Sequence, residues 1–174
     1  SMKSAVSDGE QLVNPNFIQA GRGDSLYNTN FDIKTYTAAL TYKTKNWKAY
    51  ARGGIDARDF NAKYFYTANP FDESREETRA YWTQGAFIHE NDASRTEFTA
   101  SFKKSTDEFV FNPLFPANNH TIQRVNASLF QQRDWKGIKL NYGIQTDWQD
   151  IESNDRGDHT RLSNAAFILG HKTI

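Results

Sequence analysis

Apolar and polar residues alternate along three pairs of segments, and a short polar turn joins the two members of each pair. Residues 33–57 form the first pair, in which the apolar set is Tyr36, Ala38, Leu40, Tyr42, Trp47, Ala49, Ala51 and Ile55. Residues 78–103 and 121–148 repeat the pattern, and 161–170 resembles one more segment. Because successive side chains of a strand point to opposite faces, this period of two indicates β-hairpins. The sequence therefore predicts an all-β fold, an antiparallel meander of about seven strands.

Each strand is assigned one apolar and one polar face. In the second hairpin the apolar set is Ala80, Trp82, Ala86 and Ile88 with Phe98, Ala100 and Phe102. In the third it is Val125, Ala127 and Leu129 with Ile138, Leu140, Tyr142 and Ile144. The alternate positions carry mainly charged residues, hydroxyls and amides. Strands that are half apolar and half polar are typical of a transmembrane β-barrel, in which one face meets lipid and the other meets water.

The connections are sorted by length. The turns 43–46, 91–94 and 132–136 are short, the stretches 67–77, 105–120 and 149–160 are longer, and residues 1–32 are predicted to form an N-terminal loop. Bacterial outer-membrane barrels have short turns on the periplasmic side and long loops outside. A soluble antiparallel sheet with one buried face gives the same period of two, but it has no reason to sort its loops. The alternation therefore favours the barrel.

Composition excludes several classes of function. The chain has 174 residues, no cysteine, and 21 basic and 21 acidic residues. The lack of cysteine excludes disulfide scaffolds, thiol catalysis and thiolate metal sites, and the zero net charge predicts no nucleic-acid partner. No segment approaches the roughly 20 apolar residues of a spanning helix. The mean hydropathy of −0.79 remains compatible with a barrel, whose loops are polar.

Seven strands cannot close the usual barrel, which has an even number. An open sheet leaves two unpaired edges, which a bilayer does not tolerate. We therefore expect the chain to be part of a larger barrel. In isolation we expect it to curl, to gain a second layer or to self-associate.

Two strand tops carry a family resemblance. Residues 58–67 are Arg-Asp-Phe-Asn-Ala-Lys-Tyr-Phe-Tyr-Thr, followed by Asp72, Glu73, Ser74 and Arg75, and residues 153–159 are Ser-Asn-Asp-Arg-Gly-Asp-His. From about Tyr36 onward the chain resembles the barrel region of TonB-dependent receptors of the Bacteroidetes type. The resemblance implies an outer-membrane barrel of about 22 strands with an N-terminal plug domain. It also implies TonB-driven uptake of siderophore-type iron chelates, cobalamin or similar nutrients. The plug and the TonB-contacting segment are expected elsewhere in the parent protein.

External loops on a rigid scaffold commonly carry binding residues. The candidates for docking a small-molecule ligand are Arg58, Tyr64, Phe65, Tyr66, Phe71 and Arg75. Aromatic rings beside charges suit a planar or metal-chelate ligand. The alternative is that these rings pack against neighbouring loops at the barrel rim.

No motif predicts catalysis, a metal or a cofactor. The chain has no phosphate-binding glycine loop, nucleophile elbow or helical histidine pair, so a non-enzymatic role is predicted. Asp155, Asp158 and His159 are possible metal ligands, but hydrogen bonding across a tight turn at Gly157 is the favoured interpretation.

The alternative function is a secreted all-β module that binds a ligand or carbohydrate. Its aromatic residues would stack on sugars, and its apolar strand faces would be buried between two sheets.

Overall fold

The computed structural model describes residues 1–9, 11–13, 26–63 and 73–172, and only the backbone of 11–13 and 26–28. The strands are β1 (Met2–Ser7), β2 (Gln11–Val13), β3 (Leu26–Asn28), β4 (Phe31–Lys43), β5 (Trp47–Asn61), β6 (Arg75–Asn91), β7 (Ser94–Val110), β8 (Asn118–Trp135), β9 (Ile138–Ser153) and β10 (His159–Lys172). Eight of them form one antiparallel sheet in the order β1-β4-β5-β6-β7-β8-β9-β10, and β2 pairs with β3. The prediction of an all-β antiparallel meander is confirmed. The sheet is open, with β1 and β10 at its ends.

The strands extend beyond the predicted hairpins. The turns shorten to residues 44–46, 92–93 and 136–137, and the predicted loops 105–120 and 149–160 shorten to 111–117 and 154–158. Lys136 and Gly137 both have positive φ, 52° and 78°, as a type I′ turn requires. The polar ends of the strands lack apolar alternation, but their backbones still pair in the ladder. The predicted order of connection lengths is kept.

The N-terminal segment corrects a prediction. Residues 1–32 were expected to form a loop, yet β1 pairs with the loop-side half of β4, from Met2 opposite Tyr36 to Ser7 opposite Phe31. The Ser1 amino group also donates to the carbonyl of Thr37 at 2.6 Å. Without β1, this half of β4 would be an unpaired edge. The main sheet therefore has eight strands rather than seven.

Directly opposite residues of an antiparallel pair share a face, so the register assigns the faces independently of hydrophobicity. One face, here called the apolar face, carries large exposed side chains. These are Tyr36, Leu40, Tyr42, Trp47, Ile55, Tyr81, Phe87, Phe98, Phe102, Val125, Leu129, Trp135, Tyr142, Ile144, Leu162 and Ile168. The opposite face, here called the polar face, carries mainly hydroxyl, amide and charged side chains.

The predicted faces of β6 are reversed. Phe87 lies opposite both Ala49 and Phe98, and Tyr81 lies opposite Ile55, so the odd-numbered residues of β6 belong to the apolar face. Ala80, Trp82, Ala86 and Ile88 therefore lie on the polar face. Strand β6 has apolar residues in both alternating sets, and a one-residue shift exchanges the faces.

The exposure pattern is inverted relative to a soluble sheet. Leu40, on the apolar face, is 74% exposed, whereas Ala86, on the polar face, is 6% exposed. Among the described residues only Ala62 and Ala86 are buried apolar residues. The accessible surface of 12473 Å² exceeds the about 8,700 Å² expected for a compact monomer of this mass. The sheet is thus a single layer whose polar face is the more enclosed one.

Candidate functional site

The polar face holds two hydrogen-bonded clusters, each centred on an aspartate. Asp56 Oδ1 accepts from the Thr35 hydroxyl at 2.8 Å, and Asp56 Oδ2 accepts from Trp82 Nε1 at 3.2 Å. The indole of Trp82 lies against Gly54, where an added Cβ would come within 2.8 Å of two ring carbons. Glycine therefore provides the space that a large ring needs on this face.

Asp147 is the second centre. Its Oδ2 accepts from Arg124 Nε and Nη2 at 2.9 and 2.7 Å and from Asn126 Nδ2 at 3.2 Å, and its Oδ1 accepts from Gln149 Nε2 at 2.9 Å. Both carboxylate oxygens of Asp147 are thus engaged. These contacts join β8 and β9 on the polar face.

Two of the six predicted docking residues lie in the described part of the chain, and they lie on opposite faces. Arg58 is opposite Thr78 on the polar face, whereas Arg75 is opposite Asn61 on the apolar face. Tyr64, Phe65, Tyr66 and Phe71 lie outside the described residues. The structure does not bring Arg58 and Arg75 together, and the role of the other four stays a prediction.

Arg75 belongs to a charged rim at the loop end of the apolar face. Its guanidinium donates from both Nε and Nη2 to the carboxylate of Asp59. That hydrogen bond lowers the pKa of Asp59 below its usual value and raises the pKa of Arg75. Lys34 pairs with Asp32, and Arg79 with Glu77, on the same face. The rim is thus internally neutralised.

The segment 153–159 forms the hydrogen-bonded turn that the sequence indicated. Ser153 N donates to Asp158 Oδ1 at 3.1 Å, and Gly157, with φ of 78°, donates to the carbonyl of Ser153 at 3.0 Å. The Ser153 hydroxyl lies 2.8 Å from both Asp155 Oδ1 and His120 Nδ1.

These three residues are the types found in a catalytic triad, but the arrangement differs. A triad places the imidazole between the serine and the carboxylate. Here Asp155 bonds directly to Ser153, and the same imidazole nitrogen lies 3.6 Å from Asp155. Ser153 is buried and also accepts from Arg156 N. The geometry is that of a turn fastened by side chains.

The neighbouring loop 111–117 is tied to this turn. Asn154 Nδ2 donates to the carbonyl of Ala117 at 2.8 Å, and Asn119 N donates to Asn154 Oδ1 at 2.9 Å. Leu114 and Phe115 remain exposed in this loop. No group of three metal-binding side chains occurs in the described ranges.

The polar face also has a pair of neighbouring basic residues that the sequence analysis did not predict. Lys103 and Arg124 lie directly opposite each other. Alternation places both residues on the polar face, but only the β7–β8 register makes them neighbours. A loop of several residues separates these strands, so no turn type fixes that register from sequence.

Comparisons with known proteins add no relative. No family model matches the chain, and no curated protein matches it either. The described part of the chain has no helix that is long and apolar enough to cross a membrane.

Proposed function

We propose that this chain is a wall segment of a TonB-dependent outer-membrane receptor, and that it contributes barrel strands and extracellular loops to nutrient uptake. One observation carries the proposal: most of the large apolar side chains lie on the exposed face, and most of the polar side chains lie on the more enclosed face. A barrel wall around a water-filled or plugged lumen needs this distribution. The role is structural and ligand-binding, without catalysis.

The size of the apolar surface supports a membrane contact. The apolar face of β5 is free of charged residues from Trp47 to Ala57, and that of β9 from Ile138 to Trp148, whereas Lys104 and Arg133 shorten the charge-free stretch on β7 and β8. Ten residue steps rise roughly 33 Å along a strand, or about 25 Å when the strand is tilted. That height matches the apolar band of outer-membrane barrels. Aromatic residues lie towards both ends of it, for example Trp47 and Trp148.

The positions of the short turns also support a barrel. In the ladder, Lys43 and Lys48 beside the first turn align with Ile88 of β6. Strand β6 extends three residues beyond Ile88, to Asn91. Asn91 and Ser94 align with Arg133, and β8 continues two residues further to Trp135. Each hairpin is therefore displaced along the sheet in the same direction. Such a stagger is what tilted strands in a closed barrel require.

The alternative of a secreted sandwich module lacks a comparable observation. It would bury Tyr36, Leu40, Trp47, Phe98, Leu129, Leu140 and Tyr142 between two sheets. All of these except Leu140 are at least 40% exposed, and no second layer covers them in the described ranges. Trp82, which the sequence assigns to the apolar set of the second hairpin, lies on the polar face.

The resemblance at residues 58–67 and 153–159 supplies the receptor family within the barrel class. On this proposal the partners are outer-membrane lipid, the plug domain and TonB of the parent protein, and a small-molecule ligand at the outer loops. Arg58, Tyr64, Phe65, Tyr66, Phe71 and Arg75 are the proposed docking residues. The open edges of the isolated chain would favour self-association.

Single cysteines on adjacent residues test the barrel, because the chain has no cysteine of its own. Thr83→Cys places the thiol on the apolar face and Gln84→Cys on the polar face of β6. In the whole protein, expressed with its export signal, we expect heat-modifiable protein in the outer membrane. A charged maleimide should label Gln84→Cys and spare Thr83→Cys. Recovery as a soluble protein, or equal labelling of both cysteines, would overturn the proposal.

A further inference from the structure

A row of basic side chains crosses the polar face. Following the ladder from β4 to β10, the row contains Thr37, Gly54, Trp82, Lys103, Arg124, Gln149 and Arg161. We call Lys103, Arg124 and Arg161 the basic row. All three side chains are exposed, and the ladder row that contains them has no acidic residue.

The nearest acids are already engaged. Asp147, one row towards the turns, accepts from Arg124 and two amides, and Asp56, one row towards the loops, accepts from Thr35 and Trp82. Asp107 is farther away, two rows towards the loops between Thr78 and His120, and its buried Oδ1 has no hydrogen-bond partner among the described residues. Within the described ranges, neither Lys103 nor Arg161 forms a salt bridge.

This arrangement costs stability unless an anion compensates it, because like charges directly opposite each other destabilise a sheet. Arg124 is neutralised by Asp147, whereas Lys103 beside it is not. We propose that the basic row binds a small polyanionic solute, one that carries two or more carboxylate, phosphate or sulfonate groups.

Spacing and space favour a small solute over a single ion. The side chains of Lys103 and Arg124 start roughly 5 Å apart, and Arg161 lies two strands, or roughly 10 Å, from Arg124. Lys103 also lines a cavity of about 470 Å³, whose lining includes Asp56, Arg58, Thr78, Arg79, Trp82 and Ser105. Both oxygens of the Asp56 carboxylate already accept hydrogen bonds from Thr35 and Trp82. The cavity then offers two further cations, two hydroxyls and an indole ring. A polyanion with an apolar or aromatic part fits this combination.

The inference rests on the proposed function, because the wall of a water-filled lumen is where a passing solute would meet the polar face. It adds the charge class of that solute. It also locates the contact on the barrel wall, where the cavity lining includes Arg58 but not Arg75, the other proposed docking residue in the described part of the chain.

Binding of a trisulfonated pyrene dye tests the inference. The full chain is refolded in uncharged detergent micelles and titrated by fluorescence anisotropy at low and high salt, with inorganic pyrophosphate as competitor. We expect salt-dependent binding that pyrophosphate reverses. Lys103→Gln combined with Arg161→Gln should weaken it about tenfold, whereas Lys103→Arg should retain it.

The matched control removes two charges from the same two strands on the other face. Lys104→Gln combined with Lys172→Gln gives the same net charge, but both residues lie on the apolar face. This variant should change dye binding less than twofold. Circular dichroism verifies that each variant keeps its strand content.

Several outcomes are decisive. No dye binding by the unmodified chain, or equal weakening by both double variants, would overturn the inference. If the cysteine labelling supports the barrel and the dye does not bind, the inference fails and the proposed function stands. If the dye binds with the expected variant pattern but the whole protein is soluble, the proposed function fails and the anion site stands.

Discussion

At the scale of single residues, two glycines explain how aromatic rings are accommodated on the polar face. The indole of Trp82 lies over Gly54, and the ring of Phe167 lies over Gly143, where an added Cβ would be 2.8 Å from a ring carbon. Phe130 stacks beside Phe167 at a centroid distance of 6.2 Å. A ring beside a glycine covers backbone that would otherwise be open to water. Composition alone would assign these rings to the lipid side.

Gly54→Ala should therefore be costly. Its Cβ would come within 2.8 Å of both the Trp82 ring and the carbonyl oxygen of Tyr36, and a backbone oxygen cannot turn away. We expect a loss of about 1–3 kcal/mol, the usual effect of overpacking, measured by urea unfolding in micelles. Gly85→Ala is the control, because its Cβ would contact only the Tyr50 oxygen at 3.4 Å. Equal losses in the two variants would contradict this account of Gly54.

The Asp59–Arg75 pair predicts a pH-dependent contribution at the loop end of β5. The hydrogen bond from Arg75 lowers the pKa of Asp59 below its usual 3.8. The stabilisation is therefore complete above about pH 5 and is lost as the pH falls through the pKa of the folded state. Since the Asp59 side chain is 37% exposed, solvent screening limits the effect to about 0.2–1 kcal/mol.

Unfolding of Asp59→Asn tests this contribution. At pH 7 the variant should be less stable than the unmodified chain by that amount, and the difference should vanish near pH 2. Asp92→Asn, in the turn between β6 and β7, controls for the loss of a carboxylate. A difference that persists unchanged at low pH would exclude the ion pair as its cause.

At the scale of elements, the sequence predicts strands better than it predicts faces. Regular alternation identified both hairpins that flank β6–β7 and assigned their faces in agreement with the register, because one set of each strand holds most of its apolar residues. Strand β6 has Tyr81 and Phe87 in one set and Trp82 and Ile88 in the other. The ladder decided between them through Ala49, which lies opposite Phe87. Contacts between hairpins are not encoded in local periodicity.

The prediction of the candidate site was incomplete for the same reason, because it depends on contacts between strands that are distant in sequence. Arg58 and Arg75 are 17 positions apart, in a segment with many charged residues, yet they lie on opposite faces. Lys103 and Arg124 are 21 positions apart and become neighbours through the β7–β8 ladder. Strand β1 was missed because a short segment with few apolar residues gives no periodic signal. It pairs because the edge of β4 offers unpaired backbone groups.

The pairing of β1 can be tested with two prolines. Ser1 and Thr37 exchange both backbone bonds, so in the alternating antiparallel pattern the amide of Ala5 also points to β4, whereas the amide of Ser4 points away. Ala5→Pro should detach β1 and increase the amide exchange rates of Ile33 and Thr35 at least tenfold. Ser4→Pro should leave them nearly unchanged, because an edge strand tolerates proline where no bond is lost. Equal exchange in both variants would refute the register.

At the scale of the whole molecule, the open sheet has an uncovered apolar face and edge strands with unpaired backbone groups. The apolar face has no covering layer in the described part of the chain, and β10 has a neighbour on one side only. A soluble domain could not leave this much large apolar surface exposed. In a barrel wall, lipid would cover the apolar face and further strands would pair with the edges. We therefore favour the barrel wall over a soluble sandwich.

Charge placed at mid-height of the apolar face distinguishes lipid contact from other kinds of burial. Leu40 is 74% exposed on this face, and Thr41 next to it lies on the polar face opposite Tyr50. If lipid covers Leu40, Leu40→Arg should cost about 2–4 kcal/mol in a bilayer, as for arginine near the midplane. Thr41→Arg, with the same new charge, should cost much less because it faces water. The measurement is urea unfolding of the whole protein in lipid vesicles, followed by its heat-shifted gel mobility. In detergent-free water both side chains are exposed, so the two variants should lose similar amounts of stability. A larger loss for Leu40→Arg that occurs only in the bilayer would identify lipid as the partner of the apolar face. Equal losses for the two variants in the bilayer would rule lipid out.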